Sequence, residues 1–176
     1  TTSAAVLAAL TGLPVEAVTG RGGGMTDAGF LRKKQVITDA LALHRPDKND
    51  VVDVLAKVGG LDIAAMCGAF LGAAATKRPV VIDGFISAVA ALCAVRLKPE
   101  VRDYLVPSHA SYEIGYKLAM EAMGLEPIFL LGMRLGEGTG AVAAMPLLDM
   151  ARAVYMDCYT FEEGGIEAYT PQGGEG

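Results

Sequence analysis

The sequence contains few of the residues that build metal centres and disulfide frameworks. It has only two histidines, His44 and His109, so a histidine-based metal site is not expected. Its three cysteines lie far apart and form no CxxC pair, which favours buried, reduced thiols over a disulfide framework. We therefore predict no metal centre, no cofactor and a reducing, cytoplasmic location.

Positive charge and long apolar segments are also scarce. Fifteen Lys and Arg residues against twenty Asp and Glu residues give a net charge of −5. This balance argues against nucleic acid as the main partner, because phosphate backbones require clustered cations. No run approaches the roughly 18 consecutive apolar residues of a membrane span, and no secretory signal is found. At 176 residues and 52% hydrophobic, the chain suffices for one domain with a substantial core.

The first residues predict a helix that is already under way. The segment TTSAAVLAALTG, residues 1–12, begins without an initiator methionine, and its threonines and serine are residues that often cap helices. A strand or loop is expected before it, so we predict that the chain is the C-terminal part of a longer protein. Residues 1–161 are assigned to that part of an α/β domain, and residues 162–176 to an irregular tail.

Hydrophobic periodicity predicts further helices and three short strands. Helical patterns occupy residues 27–44, 51–60 and 61–77, with Asp47 or Asn49 as the expected cap of the second. The pattern of strand, polar or glycine loop and helix then occurs three times, beginning in the segments RPVVIDGF, YLVPSHAS and PIFLLGMRLGEGTG. This order predicts an α/β fold with a doubly wound, mostly parallel sheet flanked by helices, part of a Rossmann-like domain. Such sheets bind ligands beyond the carboxyl ends of their strands.

A glycine loop and a cationic triplet are the first candidate binding segments. The amides of TGRGGG, residues 19–24, can surround a phosphate with help from Arg21, although the loop fits neither the P-loop nor the GxGxxG pattern. A flexible turn is the alternative. The cations at positions 32–34 are either a solvated surface group or include one lysine, such as Lys33, that turns inward to neutralise an anionic ligand.

Polar residues also follow two predicted strands. Asp83 either caps the helix after it or reaches a ribose hydroxyl or a positively charged ring. The hydroxyls of SHAS, residues 108–111, either cap the next helix or bind a phosphate together with its amides. A serine hydrolase is not expected, because the GxSxG elbow and a local acid are missing.

The segment RLGEGTG places Glu137 between two glycines after the third predicted strand. Gly136 and Gly138 keep side-chain bulk away from this carboxylate. It is either a turn residue in water or a group held in a dry pocket, where a carboxylate makes a suitable general base near neutral pH.

Several long motifs in the same order resemble one enzyme family. They are TTSAAVLAALTGLP, VTGRGGG, LRKKQVI, GGLDIAAMCGAFLGAA, RPVVIDGFISAVAAL, SHASYEIGY and LGMRLGEGTGAVAAMPLLDMA. The chain resembles the nicotinate-nucleotide:dimethylbenzimidazole phosphoribosyltransferase family from Thr1 to about Cys158. The resemblance implies a homodimer that transfers the phosphoribosyl group of nicotinate mononucleotide to 5,6-dimethylbenzimidazole, giving α-ribazole 5′-phosphate and nicotinate for cobalamin biosynthesis.

The resemblance also implies roles for individual residues, with Glu137 as the general base. The residues implied in substrate binding are Gly22, Gly23, Lys33, Asp83, Ser108, His109, Ser111, Arg134, Leu135 and Gly136. One carboxylate is enough for this chemistry, because nicotinate leaves from a pyridinium nitrogen without a proton, whereas the incoming benzimidazole must lose one.

Two departures from the family pattern leave alternatives open. A glycine loop and an acidic residue that precede TTSA in the family are absent, and Tyr116 stands where relatives often have histidine. We therefore expect the chain alone to be inactive or very weak. The alternatives are a homologue that uses adenine or a phenol, and a non-catalytic fragment that binds nucleotide or dimerises.

Overall fold

The computed structural model describes residues 1–167, which form a helix-rich α/β fold with a small parallel sheet. The helices are α1 (Thr2–Thr11), α2 (Val15–Val18), α3 (Asp27–His44), α4 (Val51–Val58), α5 (Leu61–Ala75), α6 (Phe85–Leu97), α7 (Ile114–Met123) and α8 (Thr139–Asp157). The strands are β1 (Val80–Ile82) and β2 (Leu105–Pro107), and a 3-10 helix spans Pro99–Tyr104. The described residues divide into two compact units, one from Thr1 to Ala144 and one that begins at Met145.

The hydrophobic periodicity located the helices well, but the predicted cap of α4 is wrong. Asp50 is the capping residue, and its carboxylate accepts hydrogen bonds from the amides of Val52 and Asp53 at 2.9 and 3.1 Å. Asp47 instead accepts from the amide of Asn49 at 2.9 Å, which closes the turn before the helix. The physical reason is position: only the residue directly before the first helical turn can reach its free amides.

Two helices in the core of the first unit, α1 and α6, are apolar on nearly every side. Helix α6 buries seven consecutive residues, Ala88 to Ala94, and α1 buries the run from Ser3 to Ala8. Helices of this kind must be enclosed by other elements. Helix α6 packs against α5 and α7, while α1 packs against α4. The small residues of α5 allow it to approach α6 closely.

The sheet consists of two strands and one additional bridge. Strands β1 and β2 are parallel, with Val80 opposite Leu105. The third predicted strand is reduced to a single parallel bridge between His109 and Phe129. The amide of Ala110 donates to the Phe129 carbonyl at 3.0 Å, which fixes this bridge. Within residues 1–167 the sheet is therefore smaller than the doubly wound sheet expected from three strand–helix units.

The three cysteines do not share one environment. Cys67 and Cys93 are buried, whereas Cys158 is exposed, so the expectation of three buried thiols is wrong for Cys158. Burial raises the pKa of the Cys67 thiol and raises that of Cys93 to about 12. Both buried thiols are therefore protonated and poorly reactive near neutral pH.

The second unit contains the rest of α8 and a turn. Pro146 lies inside α8, and the turn after the helix is closed by the Glu163 carboxylate, which accepts from the amide and hydroxyl of Thr160 at 2.8 and 3.0 Å. These hydrogen bonds lower the pKa of Glu163. Of the predicted irregular tail, residues 168–176 lie outside the described residues, and its boundary at residue 162 stays a prediction.

Candidate functional site

The carboxyl ends of β1 and β2 bring two of the predicted site segments together. Ser108, which follows β2, donates its hydroxyl to the carbonyl of Ile82 at 2.7 Å, and its amide donates to the same carbonyl at 3.0 Å. Ser108 is fully buried, so its hydroxyl serves strand pairing rather than the capping of α7. Ser111 is half-buried and accepts from the amide of Glu113 at 3.4 Å.

Asp83, directly after β1, has the side chain that makes the most hydrogen bonds among the predicted site residues. Its Oδ2 accepts from the amide of Gly138 at 3.0 Å, and its Oδ1 accepts from the amides of Gly140 and Ala141 at 2.9 and 3.1 Å. Amides in the first turn of a helix have no partner within that helix. Asp83 therefore caps α8 and not its own following helix, where Ser87 accepts from the Asp83 amide at 3.0 Å.

The rings of His109, Tyr116 and Phe129 form a layer next to Asp83, which we call the ring layer. His109 is 1% exposed, and its ring centroid lies 6.3 Å from that of Tyr116 and 6.4 Å from that of Phe129. Its Nδ1 is 3.1 Å from the Ser108 hydroxyl and 4.0 Å from the nearer Asp83 carboxylate oxygen. In this arrangement the imidazole is buried and does not face solvent.

Helix α8 begins directly against this layer. A methyl group on Gly140 would overlap the His109 ring at Nδ1, Cε1 and Cγ. The Tyr116 hydroxyl is buried and has no hydrogen-bond partner among the described residues. Burial, followed by the negative charge of Asp83, raises the pKa of Tyr116 to about 12, so the phenol stays neutral.

Glu137 lies in the turn that precedes α8. Its φ is 55°, in the left-handed region that non-glycine residues rarely adopt, and its neighbours Gly136 and Gly138 have φ values of 74° and 80°. The Thr139 hydroxyl donates to the Gly136 carbonyl at 2.7 Å and closes the turn. The side chain of Glu137 is exposed, so the dry pocket considered from the sequence does not surround it within residues 1–167.

The residues before this turn extend the candidate site toward α7. The guanidinium of Arg134 lies over the ring of Tyr112, 3.8 Å from its centroid, in a cation–π contact. Leu135 is 72% exposed and offers an apolar surface next to Glu137.

The glycine loop at residues 19–24 contacts α3 and the residue directly before α7. Lys33 donates its Nζ to the carbonyl of Gly20 at 2.8 Å, so one lysine of the cationic triplet does turn toward the loop. The carboxylate of Glu113 lies against Gly20 and Gly22. Arg21 points elsewhere and forms an ion pair with Asp27.

Glu113 is a residue of this region that sequence reasoning missed. It precedes α7 directly and faces a loop from a distant part of the chain. Its local context, YEIGY, contains no signal for such a partner. The remaining cations of the triplet differ from Lys33, since Arg32 is exposed and Lys34 lies 4.2 Å from the centroid of the Phe30 ring.

Replacing Lys33 with methionine is expected to loosen the glycine loop. The hydrogen bond to Gly20 is half-buried, and its loss is expected to cost about 1 kcal/mol locally, equivalent to a roughly fivefold faster amide exchange in residues 19–24. Hydrogen–deuterium exchange read by mass spectrometry measures this. Arg32→Met is the matched control, because it removes an exposed cation one position away. Equal exchange in both variants would show that Lys33 does not hold the loop.

Among residues 1–167, no group of three or more His, Cys, Asp or Glu side chains is placed to hold a metal ion. In the same range, every helix is too short or too polar to cross a membrane. An apolar cavity of about 550 Å³ lies between α4 and α5, away from the predicted site residues.

Comparisons with known proteins agree on one family. The family model described as Phosphoribosyltransferase matches residues 1–166. Nicotinate-nucleotide–dimethylbenzimidazole phosphoribosyltransferase from Acetivibrio thermocellus is 52% identical over 172 residues, covering 98% of this chain and 49% of that protein. The protein of the same name from a Roseiflexus species is 55% identical over 166 residues, covering 94% and 47%.

A solved structure shows the same likeness in three dimensions. The crystal structure of CobT from Thermus thermophilus superposes with a TM-score of 0.85 at 43% sequence identity. The match covers 94% of this chain and 49% of that one. The chain thus spans about half the length of the relatives that it matches.

Proposed function

Because the chain belongs to the phosphoribosyltransferase family, we propose that it takes part in the transfer of the phosphoribosyl group of nicotinate mononucleotide to 5,6-dimethylbenzimidazole. The products are α-ribazole 5′-phosphate and nicotinate. The observation that supports this most directly is Glu137, an exposed carboxylate in a glycine turn that Asp83 ties to the carboxyl end of β1. The names of the relatives supply the substrates.

Glu137 is proposed as the general base. One nitrogen of the benzimidazole attacks the anomeric carbon with inversion, the bond from that carbon to the pyridinium nitrogen breaks, and its electron pair leaves with nicotinate. The proton on the other benzimidazole nitrogen passes to the Glu137 carboxylate. Nicotinate needs no proton to depart, so a second acid is not required. A flat base lying over Leu135 would also cover the carboxylate and exclude water from it.

The glycine loop and its neighbours are proposed to hold the phosphoribosyl group and nicotinate. Gly22 and Gly23 offer backbone amides, and Lys33 brings positive charge to the loop through its contact with Gly20. Ser111 and Arg134 lie on the α7 side of the site and offer further polar contacts. The site residues with buried side chains, Ser108 and His109, contribute by shaping the wall behind these groups.

We also propose a larger assembly around this site. The parallel register of β1 and β2 supports a doubly wound sheet in the working enzyme, and the structural likeness to CobT supports the same architecture. A homodimer in the cytoplasm is proposed as its working form. The base pocket and the remaining strands would be contributed by regions that correspond to the other half of the relatives.

A chimera tests the proposed function. In it, this chain replaces the matching half of the Acetivibrio thermocellus relative, with which it shares 52% identity. Formation of α-ribazole 5′-phosphate is followed by chromatography, with the chain alone assayed in parallel and expected to be inactive or very weak. A folded chimera that binds nicotinate mononucleotide but never forms product would contradict the proposal. Competition with adenine and phenol in the same assay separates the alternative bases.

A further inference from the structure

We infer that Asp83 is a positioning residue that sets the conformation of the Glu137 turn, and that it does not contact the substrate. This inference rests on the proposed function of Glu137 as the base. It starts from the carboxylate itself, which is 16% exposed and accepts three backbone hydrogen bonds between 2.9 and 3.1 Å. A carboxylate occupied in this way has little capacity left for a ribose hydroxyl.

The three backbone amides that donate to Asp83 belong to the start of α8. Gly138 directly precedes α8, and Gly140 and Ala141 lie in its first turn, so the three hydrogen bonds cap this helix. The negative charge also lies at the positive end of the helix dipole. Without this cap, the first amides of α8 would have no partner within the helix.

One of these hydrogen bonds acts on Glu137 directly. The amide of Gly138 belongs to the peptide group that joins it to Glu137, so the contact at 3.0 Å fixes the backbone immediately after the Glu137 Cα. Glu137 has a φ of 55°, which a non-glycine residue keeps only when its surroundings impose it. The Thr139 hydroxyl fixes the Gly136 carbonyl on the other side of the turn at 2.7 Å.

Asp83 is itself held rigidly, as a positioning residue must be. Its amide donates to the Ser87 hydroxyl at 3.0 Å, and that hydroxyl donates to the Gly84 carbonyl at 2.9 Å. On its other side lies the buried ring of His109, which packs against Gly140. The Asp83 carboxylate therefore connects the end of β1 to the Glu137 turn directly, through its hydrogen bond to the Gly138 amide.

Two substitutions at Asp83 test this inference. Asp83→Asn keeps the shape but offers one acceptor and one amide donor, and Asp83→Ala removes the cap entirely. We expect amide exchange at Gly138, Gly140 and Ala141 to rise about tenfold in the asparagine variant, and further in the alanine variant. Asp50→Ala is the matched control, because Asp50 caps α4 with the same type of contact but far from the site.

The transfer assay of the preceding subsection separates positioning from substrate contact. We expect Asp83→Asn to lower kcat about 100-fold while KM for nicotinate mononucleotide stays within about threefold, because a misplaced base slows proton removal without weakening binding. Asp50→Ala should leave kcat unchanged. Unchanged exchange at the three amides, faster exchange with normal kcat, or a raised KM with normal kcat would each overturn the inference. If the chimera without a substitution shows no transfer at all, the proposed function fails, and the exchange measurement still decides whether Asp83 holds the turn.

Discussion

Replacing Glu137 with glutamine is expected to lower kcat for phosphoribosyl transfer by about 10²–10⁴-fold, with KM for nicotinate mononucleotide nearly unchanged. Glutamine has almost the same shape as glutamate but cannot accept the benzimidazole proton. The turn should survive the change, because its hydrogen bonds involve the backbone of Gly136 and Gly138 and not the Glu137 side chain. Steady-state kinetics over a range of pH measures the effect.

The control for this result is Glu121→Gln. Glu121 is exposed on α7, where it pairs with Lys117 at 3.6 Å, and its substitution changes the net charge by the same amount. It should leave the rate unchanged. A Glu137→Gln variant with the parental rate would show that the proton goes elsewhere, to water or to another base, and the general-base role would be wrong.

The second large effect is expected from Gly140→Ala, which should lower the free energy of unfolding by about 1–3 kcal/mol. The added methyl group would overlap the His109 ring. That ring cannot move aside easily, because Tyr116 and Phe129 lie next to it at centroid distances of 6.3 and 6.4 Å. The first turn of α8 must then shift away from Asp83, which would also weaken the three capping hydrogen bonds.

Urea unfolding followed by circular dichroism measures this loss against Gly72→Ala. Gly72 is also helical, but a methyl group there meets no atom within 4 Å. Replacing glycine with alanine inside a helix normally stabilises it by up to about 1 kcal/mol. The two variants should therefore move the urea midpoint in opposite directions. A Gly140→Ala protein as stable as Gly72→Ala would mean that the contact between α8 and His109 is loose.

Local signals in the sequence predicted much of the fold. The apolar period identified α3 over residues 27–44, and the β-branched run before Asp83 identified β1. Both depend on residues that are close in the chain, so a short window of sequence is enough to find them. The third strand was overestimated, because an apolar run does not show how many partners it finds; near Phe129 it finds a single bridge.

The sequence indicated that two candidate segments would lie close together, but it did not indicate which contacts they make. The rule that ligands bind at the carboxyl ends of parallel strands pointed to the segments around Asp83 and Ser108, which the structure brings together. The partner of Asp83 could not be found in this way, because the amides that it caps lie 55 to 58 residues further along the chain. The contact of Glu113 with the glycine loop was missed for the same reason.

Asp83 caps amides that lie far from it in the sequence, and this separation also bears on when the site forms during folding. Helix α3 receives its cap from Thr26, three residues before the amide of Gly29, so this contact closes a very short loop. The cap of α8 closes loops of 55 to 58 residues, and the entropy lost on closing a loop grows with its length. Contacts between residues this far apart in the sequence are expected to form late. We therefore expect the Glu137 turn to be set after β1, β2 and the ring layer at His109 have assembled, and we expect a partly folded chain to carry the helices before the site has formed.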